Sequence, residues 1–179
     1  VGVVAADNSL FLDDFRANER TFSLITQVIG RAGRSEGGGI AVIQTYNPDN
    51  ETIRLSSSQD YERFYKNEIA VRKALTFPPF CDIAQVSVSA TSKADAEQTC
   101  KDIFDALKNG AEGKYSDIPI RVLGPSPAAT PRINNKYRYR LIIKTKNNRR
   151  FRELLREATN LKYPRDTSVS VDINPETII

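Results

Sequence analysis

The stretch Tyr137-Arg138-Tyr139-Arg140-Leu141-Ile142-Ile143-Lys144 decides how the second half of this chain folds. Its tyrosines and two of its aliphatic residues recur at every second position, which places them on one face of an extended strand: Tyr137, Tyr139, Leu141 and Ile143. The basic residues fall on the opposite face: Arg138, Arg140 and Lys144. This alternation predicts a half-buried strand with one apolar face and one basic face.

The elements predicted on either side of this strand give the fold class. In chain order they are a strand at 84–90, a helix at 92–109, a strand at 120–123, a Pro-rich loop at 124–135, the strand quoted above, a helix at 148–160 and a strand at 168–173. The order β-α-β-β-α-β is typical of a split βαβ, or ferredoxin-like, domain of the α+β class, with two helices on one face of the sheet.

The first part of the chain has a different pattern. A short apolar run at 3–6 predicts a buried strand, residues 13–34 predict a helix, and residues 40–45 predict a second strand. Strand–helix–strand with short loops is typical of a parallel sheet in the α/β class. The sequence therefore predicts two kinds of fold in one chain.

A connector is predicted between these two parts. Residues 47–50 form a turn cluster, a helix follows at 59–75, and Pro78-Pro79 ends it because proline cannot continue a helix. Glu68 and Arg72 lie one turn apart on this helix, either as a plain surface ion pair or as a pair that fixes the two parts of the chain together. The predicted division is 1–56 for the first part, 57–80 for the connector and 81–179 for the C-terminal domain.

Composition narrows the class of protein. Hydrophobic residues make up 40% of the chain and charged residues 27%, which fits a soluble globular protein, and no apolar run approaches the ~18 residues that span a bilayer. The opening Val1-Gly2-Val3-Val4 has neither a methionine nor a basic leader, which favours a fragment without a signal peptide. Cys81 and Cys100 lack metal-ligand spacing and the chain has no histidine, so we expect no metal site in it.

Charge is distributed unevenly along the chain. Residues 119–165 contain thirteen Lys/Arg against two acids, a net charge of +11. Because the whole chain carries +4, the remainder carries −7 (4 minus 11). The basic segment indicates a polyanionic partner, and nucleic acid is the first candidate.

Phosphate chemistry is predicted at Gln27-Val28-Ile29-Gly30-Arg31-Ala32-Gly33-Arg34. At about 100° per residue, Gln27, Arg31 and Arg34 lie within roughly 60° of each other on a helix, opposite an apolar side. Each glycine weakens a helix by about 1 kcal/mol relative to alanine, so Gly30 and Gly33 suggest that something approaches the backbone closely between the arginines. Two arginines one turn apart suit phosphate, whose oxygens a guanidinium binds in pairs. The other interpretation is a basic helix end that meets only solvent.

The pattern Gln-x-x-Gly-Arg-x-Gly-Arg resembles motif VI of superfamily 2 helicases, which lies on their second RecA-like lobe. Other runs resemble the primosomal, replication-restart (PriA) type of these helicases: Asp14-Phe15-Arg16-Ala17-Asn18-Glu19-Arg20, Glu68-x-x-x-Arg72 followed by Pro78-Pro79-Phe80, Gly124-Pro125-Ser126-Pro127-Ala128 and Val171-Asp172-Ile173-Asn174-Pro175. The resemblance covers nearly the whole chain. It implies a partial RecA-like helicase lobe at 1–56, followed by the C-terminal domain of that family.

The resemblance also implies roles for the motif residues. Arg31 and Arg34 match the arginines that reach the ATP phosphates across the cleft between two lobes, with Arg34 as the arginine finger, and Gln27 and Gly30 match the nucleotide-binding residues beside them. The family hydrolyses ATP with Mg²⁺, moves 3′ to 5′ on DNA and restarts stalled replication forks. This chain lacks the Walker A loop and the acids that hold Mg²⁺, so we expect that it does not hydrolyse ATP alone.

The partners that the resemblance implies are forked DNA, single-stranded DNA-binding protein and other primosome proteins, in the bacterial cytoplasm at the nucleoid. The family's zinc-binding insertion matches nothing in this chain, so zinc is expected only elsewhere in a longer protein.

The basic segment is expected to bind the phosphate backbone of DNA, with little sequence preference and strong salt dependence. The residues assigned to this role are Arg132, Lys136, Arg138, Arg140, Lys144, Arg149, Arg150 and Arg152. A solvated surface and docking onto an acidic protein domain are the other interpretations of this charge. For the chain as a whole, the other hypothesis is a stand-alone nucleic-acid-binding module, directed to DNA or RNA, without ATPase activity.

Overall fold

The structure is a computed structural model of the 179-residue chain, and it describes residues 1–12, 14–33 and 39–178. The chain divides into two units, Val1–Leu75 and Thr76–Ile179. The division falls inside the connector predicted at 57–80, so the helix predicted there belongs to the first unit. Within the described ranges no helix is both long enough and apolar enough to cross a membrane.

In the described part of the first unit there are two short parallel strands and three α-helices. In chain order these are β1 (Gly2–Val3), a 3₁₀ turn (Ala6–Ser9), α1 (Ala17–Ala32), β2 (Val42–Ile43), α2 (Glu51–Ser57) and α3 (Tyr61–Leu75). Gly2 pairs with Val42 and Val3 pairs with Ile43 in parallel register, which confirms the pairing predicted from the strand–helix–strand pattern. The sheet has only these two strands among the described residues, so the larger sheet of a RecA-like lobe is not seen in them.

Helix α1 begins later than predicted because Asp14 closes a turn before it. The Asp14 carboxylate accepts a hydrogen bond from the Arg16 backbone N–H at 2.9 Å. It also pairs with the Arg20 guanidinium at 3.3 Å. These contacts order the chain up to Ala17, where the helix starts. The predicted C-terminal end of this helix, at Arg34, lies outside the described residues.

Helix α2 was not predicted, because Asn50 was interpreted as part of a turn. Its side chain accepts a hydrogen bond from the Ile53 backbone N–H at 3.3 Å and so caps a helix that runs to Ser57. Gln59 then adopts a positive φ of 56°, which interrupts the helical path. The helix predicted at 59–75 therefore begins at Tyr61.

The described residues of the first unit form two small apolar clusters. One joins the strand pair to the helices: Val3, Ala6, Ile25 and Ile53 are all buried. The other joins α1, α2 and α3 through Phe22, Leu55 and Phe64, and the rings of Phe22 and Phe64 stack with centroids 4.2 Å apart. Arg72 of α3 adds polar contacts to this unit, because its guanidinium reaches Glu68 at 2.8 Å and Glu19 of α1 at 2.7 Å. The predicted Glu68–Arg72 pair thus belongs to a network that joins α3 to α1.

The Asp7 side chain links the segment that follows β1 to the segment that follows β2. Its buried carboxylate accepts hydrogen bonds from the Thr45 hydroxyl at 2.7 Å and from the Tyr46 backbone N–H at 2.8 Å. The Thr45 hydroxyl first, and the Tyr46 N–H second, hold the pKa of Asp7 below its usual value of 3.8. A carboxyl with a lowered pKa in the folded state stabilises that state above its ordinary pKa, and the stabilisation is lost as the pH falls through the lowered value.

We therefore expect the wild-type chain to melt at a higher temperature than Asp7→Asn at neutral pH. The difference should stay constant down to the ordinary carboxyl pKa and shrink at lower pH, because protonation removes the same acceptor. Thermal unfolding across a pH series checks this, with the exposed Asp49→Asn as control. A difference that is independent of pH down to the most acidic point would contradict the assigned role of Asp7.

The second unit has the β-α-β-β-α-β order that the sequence predicts. Its elements are β3 (Asp82–Ala90), α4 (Lys93–Glu112), β4 (Arg121–Ile133), β5 (Lys136–Thr145), α5 (Arg149–Thr159) and β6 (Ser168–Ile173). The four strands form one antiparallel sheet in the order β4-β5-β3-β6. Both helices cover the same face and bury a core against it that includes Val86, Ile103, Leu141 and Phe151. The predicted ferredoxin-like arrangement is confirmed.

The Pro-rich loop predicted at 124–135 is wrong, because most of it is strand. Strand β4 continues to Ile133, with two shifts of register against β5. It lies at the edge of the sheet, where proline is tolerated because an edge residue can turn its nitrogen to solvent without breaking a strand pairing. Asn134 and Asn135 both have positive φ, the conformation of a tight two-residue hairpin.

Candidate functional site

The predicted phosphate-binding residues of helix α1 that the structure describes lie on its solvent-exposed face. Gln27, Gly30 and Arg31 are exposed, whereas Ile25 and Ala32 are buried on the opposite side. The amphipathic division predicted for this stretch is therefore confirmed up to Ala32. Arg34, predicted to be the arginine finger, lies outside the described residues.

Gly30 leaves the backbone of α1 open to close approach. A Cβ built at this position would meet no atom within 4 Å, so packing within the unit does not require glycine here. Glycine at a helical position still costs about 1 kcal/mol relative to alanine. Arg31, one residue further on, forms no ion pair with any carboxylate of the described ranges. An exposed amide and a guanidinium one turn apart, beside an open backbone, fit the oxygens of a phosphate group.

The outer face of α5 carries a row of arginines. Arg149, Arg152 and Arg156 are exposed, and helical geometry at about 100° per residue puts them within roughly 60° of each other. Arg149 pairs with Glu153 at 2.9 Å on the same helix. Arg152 and Arg156 pair with no carboxylate among the described residues and are the more available of the three.

Arg150 has a structural role that the sequence did not predict. Its guanidinium binds the Asp117 carboxylate at 2.8 Å and the Lys114 carbonyl at 2.9 Å, and it lies 4.9 Å from the Tyr115 ring centroid. The hydrogen bond that Arg150 donates to the Asp117 carboxylate raises the pKa of Arg150 above its usual value. These contacts hold α5 to the segment that follows α4. Much of the positive charge of Arg150 is therefore already paired within the unit.

The hairpin between β4 and β5 carries a second group of cations. Arg132 is exposed, donates to the Asn135 side-chain carbonyl at 3.2 Å and lies 5.0 Å from the Tyr137 ring centroid. Lys136 and Arg138 are half-buried close to it on β5. These three predicted residues lie at one end of the sheet, with Arg132 on the Tyr137 face and with Lys136 and Arg138 on the opposite face.

The structure buries Arg140 and Lys144, which the sequence places on an exposed DNA-binding surface. Both are only 8% exposed. The Arg140 guanidinium donates to the Ile178 carbonyl, and the Lys144 ammonium lies 3.6 Å from the centroid of the Phe77 ring. Strand alternation correctly placed them on the face opposite the helices, but the segments before β3 and after β6 cover that face.

The two thiols differ in accessibility. Cys100 is wholly buried in the core, and burial raises its pKa to about 12. Cys81 is half-buried, and its Sγ contacts the Thr76 carbonyl oxygen at 3.2 Å. Burial raises its pKa as well. In the part of the chain that the structure describes, no three His, Cys, Asp or Glu side chains group together as metal ligands do.

Comparison with known proteins gives one family match and several relatives that span the chain. A family model described as the primosomal protein N C-terminal domain matches residues 73–176. Replication restart protein PriA from Bacillus subtilis is 40% identical over 98% of this chain and 22% of its own length. The proteins of that name from Borreliella burgdorferi and Rickettsia typhi are 31% and 33% identical, over 100% and 99% of this chain. The chain spans about a quarter of the length of these relatives.

Proposed function

The chain belongs to the family of replication restart proteins PriA, and from that membership we propose that it works in replication restart as part of an ATP-dependent 3′-to-5′ DNA helicase. In this proposal the first unit faces the ATP phosphates and the second unit binds forked DNA. Primosome proteins, including single-stranded DNA-binding protein, are the proposed protein partners.

One observation carries the nucleotide-facing role of the first unit. Gln27 and Arg31 stand exposed one turn apart on α1, with the open backbone of Gly30 between them. When ATP and Mg²⁺ are bound by the longer protein, the reaction moves a phosphoryl group, and charge grows on its oxygens. Arg31, and Arg34 by motif spacing, would neutralise that charge, and Gln27 would position the group beside them. The sequence has no Walker A loop, so the chain alone is proposed to be inactive as an ATPase.

The second unit is proposed to bind DNA through its exposed cations. Two groups of them support this role, on the outer face of α5 and at the β4–β5 hairpin. Neither group needs a base edge to bind, so the proposed recognition is of backbone phosphates, and the DNA structure rather than its sequence would select the site. The stand-alone module that binds RNA is the competing hypothesis for this unit.

The test is binding of the 179-residue chain to a fluorescent DNA fork across a salt series. We expect the logarithm of affinity to fall linearly with the logarithm of salt concentration, with a slope of about −0.9 for each phosphate contacted. An RNA hairpin of equal length is the control ligand. Tighter binding to that RNA would favour the competing module, and no binding to either ligand at low salt would leave the basic surface to a protein partner.

A further inference from the structure

The second unit has a groove at one end of its sheet. It encloses about 420 Å³, within the ~300–1,000 Å³ of pockets that take small organic groups. Its lining comes from the segment before β3, the start of β4 and the end of β5: Thr76, Phe80, Cys81, Pro119, Ile120, Arg121, Lys144, Thr145 and Lys146. Arg121 and Lys144 are opposite each other on paired strands.

The charge of the groove is positive. Arg121, Lys144 and Lys146 line it, and none of the described residues contributes an acidic side chain to the lining. Lys144 is the most constrained of the three, because it is only 8% exposed and lies over the Phe77 ring. Burial lowers the pKa of Lys144, and the nearby Arg121 lowers it further. A bound anion would relieve this crowding of like charges.

The groove also has an aromatic wall. Phe80 is exposed over 42% of its surface, and Pro119 and Ile120 line the groove with it. A positively charged groove with an exposed aromatic ring is the combination that proteins use for single-stranded nucleic acid, where bases stack on the ring and cations follow the backbone. Bases inside a duplex expose only their edges, because their faces are stacked on their neighbours, so the interior of a duplex could not place a base flat against Phe80.

We propose that this groove takes one unpaired nucleotide of single-stranded DNA, with the base against Phe80 and the phosphate between Arg121 and Lys146. The inference rests on the proposed binding of DNA by the second unit. It adds the form of DNA that this unit prefers and the residues that distinguish an unpaired strand from a duplex.

Cys81 provides a direct reporter, because it lines the groove and the other thiol is inert. Cys100 is wholly buried with a pKa of about 12, so iodoacetamide should modify Cys81 alone. The alkylation rate of the 179-residue chain is measured by mass spectrometry with and without a single-stranded oligothymidylate. At an oligonucleotide concentration about ten times its Kd, occlusion of the thiol should slow the reaction by roughly tenfold. A blunt duplex of equal length should slow it by less than about twofold.

The arms of this experiment separate the possible failures. Fluorescence anisotropy reports oligonucleotide binding independently of Cys81. If the oligonucleotide binds and Cys81 alkylates at its free rate, the groove proposal is wrong while DNA binding stands. If neither DNA binds, the proposed function of the second unit fails first. Protection by the duplex as strong as by the single strand, or protection by an acidic peptide but not by the oligonucleotide, would also overturn the proposal.

A variant gives a second measurement that does not depend on the thiol. Phe80→Ser should weaken binding to single-stranded DNA by about tenfold, the order of one base stacked on an aromatic ring, and leave duplex affinity unchanged. Lys101→Gln, an exposed position on α4, is the matched control. Melting curves verify that both variants fold. Equal affinity of Phe80→Ser and wild type for the single strand would contradict stacking on this ring.

Discussion

Replacing Arg34 with alanine in a helicase that contains this chain is expected to lower DNA-stimulated ATP turnover by about 10³-fold or more. The reason is electrostatic. Charge on the transferred phosphoryl oxygens grows in the transition state, and a guanidinium held at that point stabilises it more than it stabilises bound ATP. Arg34 follows Arg31 by three residues in the motif, and Arg31 is exposed on α1.

The measurement is a steady-state ATPase assay on saturating single-stranded DNA, beside the affinity of the same protein for that DNA. Affinity should remain nearly unchanged, since the residue is assigned to nucleotide rather than to DNA. Arg63→Ala is the matched control, because Arg63 is exposed in the same unit and lies outside the motif. Equal losses of turnover and DNA affinity would mean that Arg34 binds DNA or holds the lobe together.

Arg31 and Arg34 can be distinguished by lysine substitution. A lysine keeps the charge and loses the planar fork that binds two oxygens at once. Whichever arginine makes the paired contact should therefore lose most of its effect as lysine, whereas an arginine that supplies only charge should keep it. The test needs both single variants in the same ATPase assay.

The sequence predicted most of the second unit because its signals are local. Alternation at Tyr137–Lys144 and the 3.6-residue pattern around Phe151 each depend on short stretches, and together they predict the β-α-β-β-α-β order. The proline-rich stretch after Gly124 was misinterpreted because proline removes a backbone donor in any strand. Only the position of β4 at the sheet edge makes that loss harmless, and strand order is not a local property.

The same limit explains the errors at the basic face. Alternation tells which side of β5 Arg140 occupies, but not what covers that side. Phe77 lies 67 positions before Lys144 and Ile178 lies 38 positions after Arg140, so neither contact has a signal in the strand itself. The groove at the end of this sheet was not predicted for the same reason. Its lining residues Phe80, Arg121 and Lys146 come together only when three strands pair.

Helix α2 was missed for a different reason, which is that asparagine is common in two kinds of local structure. Asparagine favours turns and helix N-caps for the same reason, which is that its side-chain oxygen can accept a hydrogen bond from a backbone N–H nearby. At Asn50 the cap is formed, and seven helical residues follow. The two faces of α1 were easier to predict, because the helical spacing of apolar and polar residues can be read directly from the sequence.

Reversing the two available arginines of α5 should weaken DNA binding by about 10²-fold at roughly 0.1 M salt. Each phosphate contact contributes about a factor of ten at that salt concentration, through the release of about 0.9 counterion. In the double variant Arg152→Glu/Arg156→Glu, the slope of log affinity against log salt should also become shallower by about 2. The measurement is the fork-binding salt series, and melting curves should show little change because both side chains are exposed.

The matched control is Lys93→Glu/Lys101→Glu, which changes the net charge by the same amount from exposed positions on α4. If affinity follows net charge alone, both double variants will bind equally poorly, and the row on α5 is not the contact. Arg140→Ala supplies the opposite contrast. Because it removes a buried donor from the Ile178 carbonyl, it should cost about 1–3 kcal/mol of stability and leave the folded protein's affinity for DNA intact. A stable Arg140→Ala protein with weakened DNA binding would mean that the covered face opens to DNA, and would return Arg140 to the interface.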